Sequence, residues 1–455
     1  MKPKRTSTNA LRRGMTLWWF LAMLLVGIGV SSHPAEAQPF AYVANINSNN
    51  VSVIDTATNT VVATVPLGGS SPLWVAITPD GAFAYVTTQG SSTVAVIATA
   101  TNTVVATVPV GSNSRKVAIT PDGAFAYVTN ANSNTVSVIA TATNTVVATV
   151  PVVGVDLVGV AITPDGAFAY VVNNLSPDVS VIATATNTVV ATTTVAPVGL
   201  GSSGVAITPD GAFAYVTICG GICSVVAVIA TTTNTVVATV PVGFCPAGLA
   251  FTPDGAFAYV ANQCSQNVSV IATATNAVVA TVPVGRDPVG VAITPDGAFA
   301  YVTNVTSNNV SVIATATNTV VATVPVGSNP AGVAITPDSK ITVAIDIKPG
   351  SLPNSINLSS AGVVPVAILS SPTFDATQVD PASVTLAGAA VNLIGKGDRF
   401  ACRAEDVNAD GLPDFVCQVV TVEFMIEPGD SVAVLEAKTL SGQAIRGEDS
   451  INIVP

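Results

Sequence analysis

The sequence predicts an all-β fold: a seven-bladed β-propeller closed by pairing of its own ends (velcro closure), then a C-terminal β-sandwich-like module. Three observations lead there. One cassette recurs from Gln38 to Asp338 with a period of 42 to 45 residues. Each copy holds four short runs rich in β-branched residues, with turn signals between them. The first and last copies are incomplete in complementary ways.

The cassette reads VAITPDGAFAYVTN…NTVSVIATATNTVVATVPVG, and its tyrosines (Tyr42, Tyr85, Tyr127, Tyr170, Tyr215, Tyr259, Tyr301) mark the phase. In the second copy the runs are Val75–Thr78, Ala82–Thr87, Thr93–Ala98 and Thr103–Val110. Thr-Pro-Asp-Gly separates the first two, with Pro presetting φ and Gly closing the turn. Ala-Thr-Ala-Thr-Asn separates the last two. Phe83 and Tyr85 lie two apart on one strand face, which directs these aromatics into the space between blades. A parallel β-helix is the competing architecture. The ends decide against it: the region opens on a second strand at Phe40 and closes on a lone first strand, Val333 to Asp338. A ring uses that strand to complete its first blade and leave no open edge; a solenoid does not.

Composition bounds the function. The chain has 455 residues, 49% hydrophobic and only 9% charged, with a net charge of −11. That balance excludes nucleic acid as a partner, because phosphate binding needs clustered Lys and Arg. Residues 1–37 read as a signal peptide: Lys2, Lys4, Arg5, Arg12 and Arg13, then an apolar run from Leu17 to Val30, then Ala35-Glu36-Ala37. The apolar run is too short for a comfortable bilayer span, so no transmembrane anchor is expected after cleavage. The only histidine, His33, leaves with this segment. The domains are therefore 1–37, the propeller at 38–338 and the C-terminal module at 339–455. The mature protein is expected to be secreted, extracellular or at the cell surface, with the periplasm open. Six cysteines in an exported chain read as disulfides: Cys219, Cys223, Cys245, Cys264, Cys402 and Cys417. Among the first four, Cys219–Cys223 and Cys245–Cys264 are favoured, with three connectivities open. Cys402 and Cys417 bracket an acidic loop.

Tyr-Val-Thr-Asn (Tyr127–Asn130, Tyr301–Asn304), followed by Val-Ser-Val-Ile, Thr-Asn-Thr-Val-Val and Thr-Pro-Asp-Gly, resembles the YVTN β-propeller repeats. These are known from archaeal surface-layer proteins and many exported bacterial proteins. The resemblance spans all seven cassettes; it implies a propeller at or beyond the cell surface and no defined reaction. The family's Ile-Asp survives only at Ile54-Asp55, the other blades carrying Ile-Ala.

Strand connections alternate between two faces. The Thr-Pro-Asp-Gly and Ala-Thr-Ala-Thr-Asn turns share a nearly constant face, with a ring of seven aspartates from Asp80 to Asp338 that reads as turn capping. The other face varies and carries Trp74, Arg115, Lys116, Asp156, Asp178, Phe244, Arg286 and Asp287, the candidate ligand contacts. In the C-terminal module, Asp406, Asn408, Asp410, the Leu412 carbonyl and Asp414 have the spacing of a calcium loop, with Gly411 at the sharp turn. This segment resembles the first half of an EF-hand or dockerin loop and, as a whole, the shorter integrin-type loop. Cys417 stands where an EF-hand needs Glu. A structural Ca2+ is the expected cofactor.

With no histidine in the mature chain and no glutamate in the propeller, a Ser–His–Asp triad is excluded. The favoured expectation is an exported, calcium-stabilised, non-enzymatic binding or scaffold protein whose variable face recognises an unknown surface protein or glycan. A rigid spacer in a surface array is a further possibility. The alternative is a propeller enzyme, lactonase-like or quinone-dependent dehydrogenase-like, with Asp156 and Asp178 as its acid and base.

Overall fold

The computed structural model describes residues 39–454 apart from 69–70, 177, 196–200, 221–222, 338–340, 352–353, 358–361, 372–373, 395–398, 422–423, 425, 427–429 and 441–443. The expected signal peptide and Asp338 lie outside the described residues. Ala37–Pro455 forms one compact unit.

Seven four-stranded antiparallel sheets occupy this unit as far as Ile335. In blade two the strands are Pro72–Ile77, Phe83–Thr88, Thr93–Ala98 and Thr103–Pro109. The inner strand thus begins three residues before the predicted start. The innermost strands of blades two to seven are Pro72–Ile77, Ser114–Ile119, Leu157–Ile162, Gly201–Ile207, Pro246–Phe251 and Pro288–Ile293. Blade one is closed by Pro330–Ile335, which pairs antiparallel with Phe40–Asn45, Val43 opposite Val333. Last and first strands thus share one sheet, as the complementary ends require.

The core sits between blades. Tyr42, Ala44, Val51 and Val53 of blade one pack on Val75, Ala84, Val86 and Ile97 of blade two. The seam between blades seven and one is built alike, from Tyr301, Val310 and Val312 on Ala41, Val43 and Ile54. Every buried tyrosine hydroxyl then donates to an asparagine of the next blade at 2.5–2.7 Å: Tyr42 to Asn102, Tyr85 to Asn144, Tyr127 to Asn187, Tyr170 to Asn234, Tyr215 to Asn276, Tyr259 to Asn318 and Tyr301 to Asn59. These asparagines end the Ala-Thr-Ala-Thr-Asn turns with φ of +49° to +54°, a left-handed conformation that Asn tolerates better than most residues. The phenylalanines behave differently. They open their strands near the constant face and stay partly exposed, Phe83 at 37%.

The outermost strand of each blade carries a register shift against its neighbour, as between Val53 and Ile54 or Val96 and Ile97. Such bulges twist an edge and blunt it against pairing with another chain. These edges need that protection: they bear no charge and expose valines such as Val105 at 53%.

After the propeller, two larger sheets share one core of their own. The first runs Ile341–Thr342, Ala444–Ser450, Val432–Lys438, Thr385–Leu386, Ala389–Ala390 in spatial order; the second runs Ile345–Ile347, Val363–Ile368, Asp414–Val420, Cys402–Glu405. Leu435 and Ile445 of the first meet Val366, Ile368 and Val419 of the second in one apolar cluster, so the pair is sandwich-like. No helix among the described residues is long and apolar enough to cross a membrane.

The tyrosine seams generate a stability prediction. Burial pushes the hydroxyls of Tyr42, Tyr85, Tyr127, Tyr170 and Tyr259 up to about 12 from an ordinary value of 10. Folding favours the neutral phenol, so this contribution is complete below pH 10 and is lost as pH rises from 10 through 12. The melting temperature should fall over that window, with phenolate absorbance appearing in step with unfolding. Tyr301→Phe should lower the urea-unfolding free energy by about 1–3 kcal/mol, because the Asn59 acceptor loses its partner.

Candidate functional site

The inner strands converge on the central channel, and their close approach depends on glycine. A Cβ on Gly204, Gly248 or Gly290 would lie 2.3–2.4 Å from the carbonyl oxygen of Ala247, Val289 or Ala331 in the next blade. A Cβ on Gly332 would lie 2.6 Å from the Trp74 Cα. At the position of these glycines, with Gly159 the fifth, blades two and three carry Trp74 and Lys116 instead. At this position, then, five blades are bare and two carry large side chains, while the residue before it lines the channel in every blade.

Threonines of the second strands pin these inner strands, within a blade and to the next one. Thr87 donates to the Arg115 carbonyl at 2.7 Å and Thr217 to that of Ala247 at 2.8 Å. Thr129 accepts from the Lys116 amide at 3.0 Å. On this frame stands a cavity of about 240 Å³ at the variable-face end of the channel, lined by Trp74, Arg115, Lys116, Asn174, Ser203 and Gln263 together with apolar residues.

Its electrostatics are unusual for so acidic a protein. The Lys116 Nζ lies 4.0 Å from the centre of the Trp74 ring. Desolvation by the packed channel wall pulls its ammonium down to about 8 from an ordinary 10.5, although the side chain keeps part of its surface exposed. Arg115 faces Asp156 at 3.6 Å, and Asn174 donates to the other oxygen of Asp156 at 2.8 Å. The buried Arg115 Nε has no hydrogen-bond partner. Ser203 Oγ donates to the Pro246 carbonyl and lies 3.0 Å from the Thr217 hydroxyl. The site thus offers an amine drawn down to about 8, a guanidinium, and hydroxyl and amide groups around one cavity.

Of the sequence candidates, Trp74, Arg115 and Lys116 line the cavity and Asp156 stands behind Arg115. The other four lie on loops or blade edges. Asp178 accepts from Thr194 at 2.8 Å, and Asp287 accepts from Thr306. Phe244 is 58% exposed, and Arg286 is exposed with its amide on Ser307. Asp178 does not line the cavity with Lys116, so the expected Asp156–Asp178 acid–base pair is not assembled there. Sequence reading missed Asn174, Ser203 and Gln263. The signal that could have found the site was the glycine position itself, where Trp74 and Lys116 interrupt the register.

On the constant face the aspartates cap their turns. Asp122 accepts from the Thr120 hydroxyl at 2.5 Å and the Ala124 amide at 3.0 Å, bonds that hold its carboxyl below the ordinary carboxylate value. Cys245 and Cys264 are bonded, as are Cys402 and Cys417, which stand opposite each other in their ladder. The favoured Cys219–Cys223 bridge is corrected: Cys219 is free. The hairpin pairs Cys219 with Ser224 and Cys223 with Gly220, so the two cysteines are out of register. The side chain of Cys223 lies outside the described residues.

In the acidic loop the oxygens turn on their own backbone. Asp406 accepts from the amides of Asp410 and Gly411, Asn408 from Asp410, and Asp410 from Leu412, at 2.8–3.2 Å. The buried Asp414 accepts from the amides of Ser370 and Val407. No three His, Cys, Asp or Glu side chains converge on a metal position among the described residues. Each carboxylate keeps acceptor capacity beyond these bonds.

The family model described as Lactonase, 7-bladed beta-propeller matches residues 33–150 and 160–281. No curated protein sequence matches the chain. Among solved structures, Kuenenia stuttgartiensis hydrazine synthase is similar at 26% identity and a TM-score of 0.54, over 59% of this chain and 90% of that one. A functionally unknown Desulfotomaculum acetoxidans protein is similar at 21% and 0.59, over 66% and 99%. A protein provisionally named 6-phosphogluconolactonase from Bacteroides uniformis is similar at 17% and 0.56, over 66% and 99%. The last two share the fold. The expectation of a non-enzymatic binding or scaffold protein is overturned by the family match. Missing histidine excluded a triad, but it did not exclude an amine and a guanidinium brought together in the channel.

The glycine ring can be tested directly. Gly290→Ala should destabilise the protein by about 1–3 kcal/mol through overpacking against the Ala331 carbonyl, read as a lower urea midpoint with an unchanged m-value.

Proposed function

The chain belongs to the lactonase family of seven-bladed β-propellers, and on that premise we propose that it is a hydrolase opening a lactone ring at the channel mouth. The observation that carries this reading is the Lys116 amine, drawn down to about 8 and lining the same cavity as Arg115. Lactone hydrolysis needs a base for water and a donor for the oxyanion. Neutral Lys116 takes a proton from water, and the hydroxide attacks the ring carbonyl. Arg115, whose side chain lines the cavity, stabilises the tetrahedral oxyanion through its guanidinium. Collapse breaks the ring C–O bond, and the Lys116 ammonium returns its proton to the leaving alkoxide, giving the hydroxy acid. Asp156 holds Arg115, and Asn174 holds Asp156, as positioning residues.

Two readings accompany it. Export is supported by the disulfides Cys245–Cys264 and Cys402–Cys417, and the YVTN-like repeats favour a location at or beyond the cell surface. The donor set Asp406, Asn408, Asp410, Leu412 carbonyl and Asp414 supports a structural Ca2+ in the C-terminal module.

Turnover of simple lactones, followed by acid release, tests the reaction. The kcat/KM should rise with pH and level above about 8, and Lys116→Met should lower kcat about 10²–10⁴-fold. A flat profile from pH 6 to 9, or wild-type turnover in that variant, would refute the role of Lys116. Millimolar Ca2+ should raise the melting temperature by mass action on the folded state; an Asp406→Ala, Asp410→Ala double variant should lose the shift.

A further inference from the structure

The cavity has two unlike sides. Around the ring the inner strands follow in blade order, and consecutive ones touch. Blades three to five contribute Arg115, Lys116, Asn174 and Ser203, the polar side chains that hold the proposed chemistry, with Val158 of blade four the apolar residue among them. Blades six, seven, one and two contribute Ala247, Val289, Ala331, Leu73 and Trp74, an unbroken apolar arc facing them. Along that arc the next residue of the strand is glycine in three blades (Gly248, Gly290, Gly332) and Trp74 in the fourth. Side-chain hydrogen bonding is sparse there: Gln263, on the loop above blade six, is the polar side chain that reaches this half of the cavity.

A substrate seated with its ester carbonyl on Arg115 must lay the rest of its ring substituents on this arc. Hydroxyl groups placed there would lose water without gaining donors or acceptors, at a cost that apolar groups avoid. The volume of about 240 Å³ lies below the usual range of about 300–1,000 Å³ for small-molecule pockets, which suits a single ring with a short tail. We propose that the substrate is a monocyclic lactone bearing an apolar alkyl substituent rather than a polyhydroxylated sugar lactone. This rests on the lactone-opening reading of the site and names which lactones it takes.

The test compares γ-butyrolactone, γ-heptalactone and δ-gluconolactone. The kcat/KM should rise about fourfold for each added methylene that is buried, so γ-heptalactone should exceed γ-butyrolactone by about 60-fold, with δ-gluconolactone the poorest. Val289→Asn, on the apolar arc, should shrink the heptalactone-to-butyrolactone ratio at least tenfold, with a thermal melt showing that the variant is folded. Binding is read separately by fluorescence, as the difference between the wild type and Trp74→Phe. γ-Heptalactone should perturb Trp74 at concentrations well below those needed for δ-gluconolactone. If δ-gluconolactone is opened as well as γ-heptalactone or better, the inference fails and lactone opening stands. If γ-heptalactone binds with this preference but no lactone is opened, the reaction is wrong and the apolar arc is right. If the ratio survives Val289→Asn, the apolar arc does not set specificity.

Discussion

The hydrogen bond from each blade's buried tyrosine to an asparagine of the next blade is the constraint on which the ring depends. A four-stranded sheet alone buries little; its inner residues become core only when a second sheet covers them. The tyrosine spans that seam, with its ring in the apolar layer and its hydroxyl on a left-handed asparagine at the far turn. A sheet rotated or slipped by one residue would strand both groups, and an unpaired buried hydroxyl is costly. The bond therefore sets the angle between blades as well as their cohesion. Because Tyr301 reaches Asn59, the last seam obeys the same rule as the others.

Regular angles carry the inner strands inward until backbones nearly touch, and this close approach makes the channel a site. Where glycine lines it, carbonyl oxygens of neighbouring strands leave no room for a side chain. Where the repeat substitutes Trp74 and Lys116, bulk and charge enter the same crowded, poorly hydrated place. Lys116 pays in desolvation what Trp74 only partly returns, and its ammonium is correspondingly easier to deprotonate. Arg115 is anchored by Asp156 yet keeps one donor unmet. Reactive groups are thus held by threonine side chains: Thr87 ties the Arg115 carbonyl to blade two, and Thr129 ties the Lys116 amide within blade three.

Much of the fold was legible because the repeat states it seven times. Tyrosine spacing gave the blade count, and the truncated ends gave the closure. The capping role of Asp122 followed from its place after Pro in a turn. The hairpin cysteines were misread because proximity in sequence does not specify register: Cys219 faces Ser224. The phenylalanines were expected in the seams, but their position at the strand start leaves them partly exposed.

The sequence by itself determined strand number, blade phase and which loops share a face, because these depend on local periodicity and chain order. Tertiary structure alone decided the site. Trp74, Lys116, Ser203 and Gln263 come from different blades, and only closure of the ring brings their strands to one axis. The sequence shows that Lys116 is a lysine; its surroundings in the channel draw its ammonium down to about 8. Desolvation is a property of the assembled neighbourhood, and no single cassette contains it.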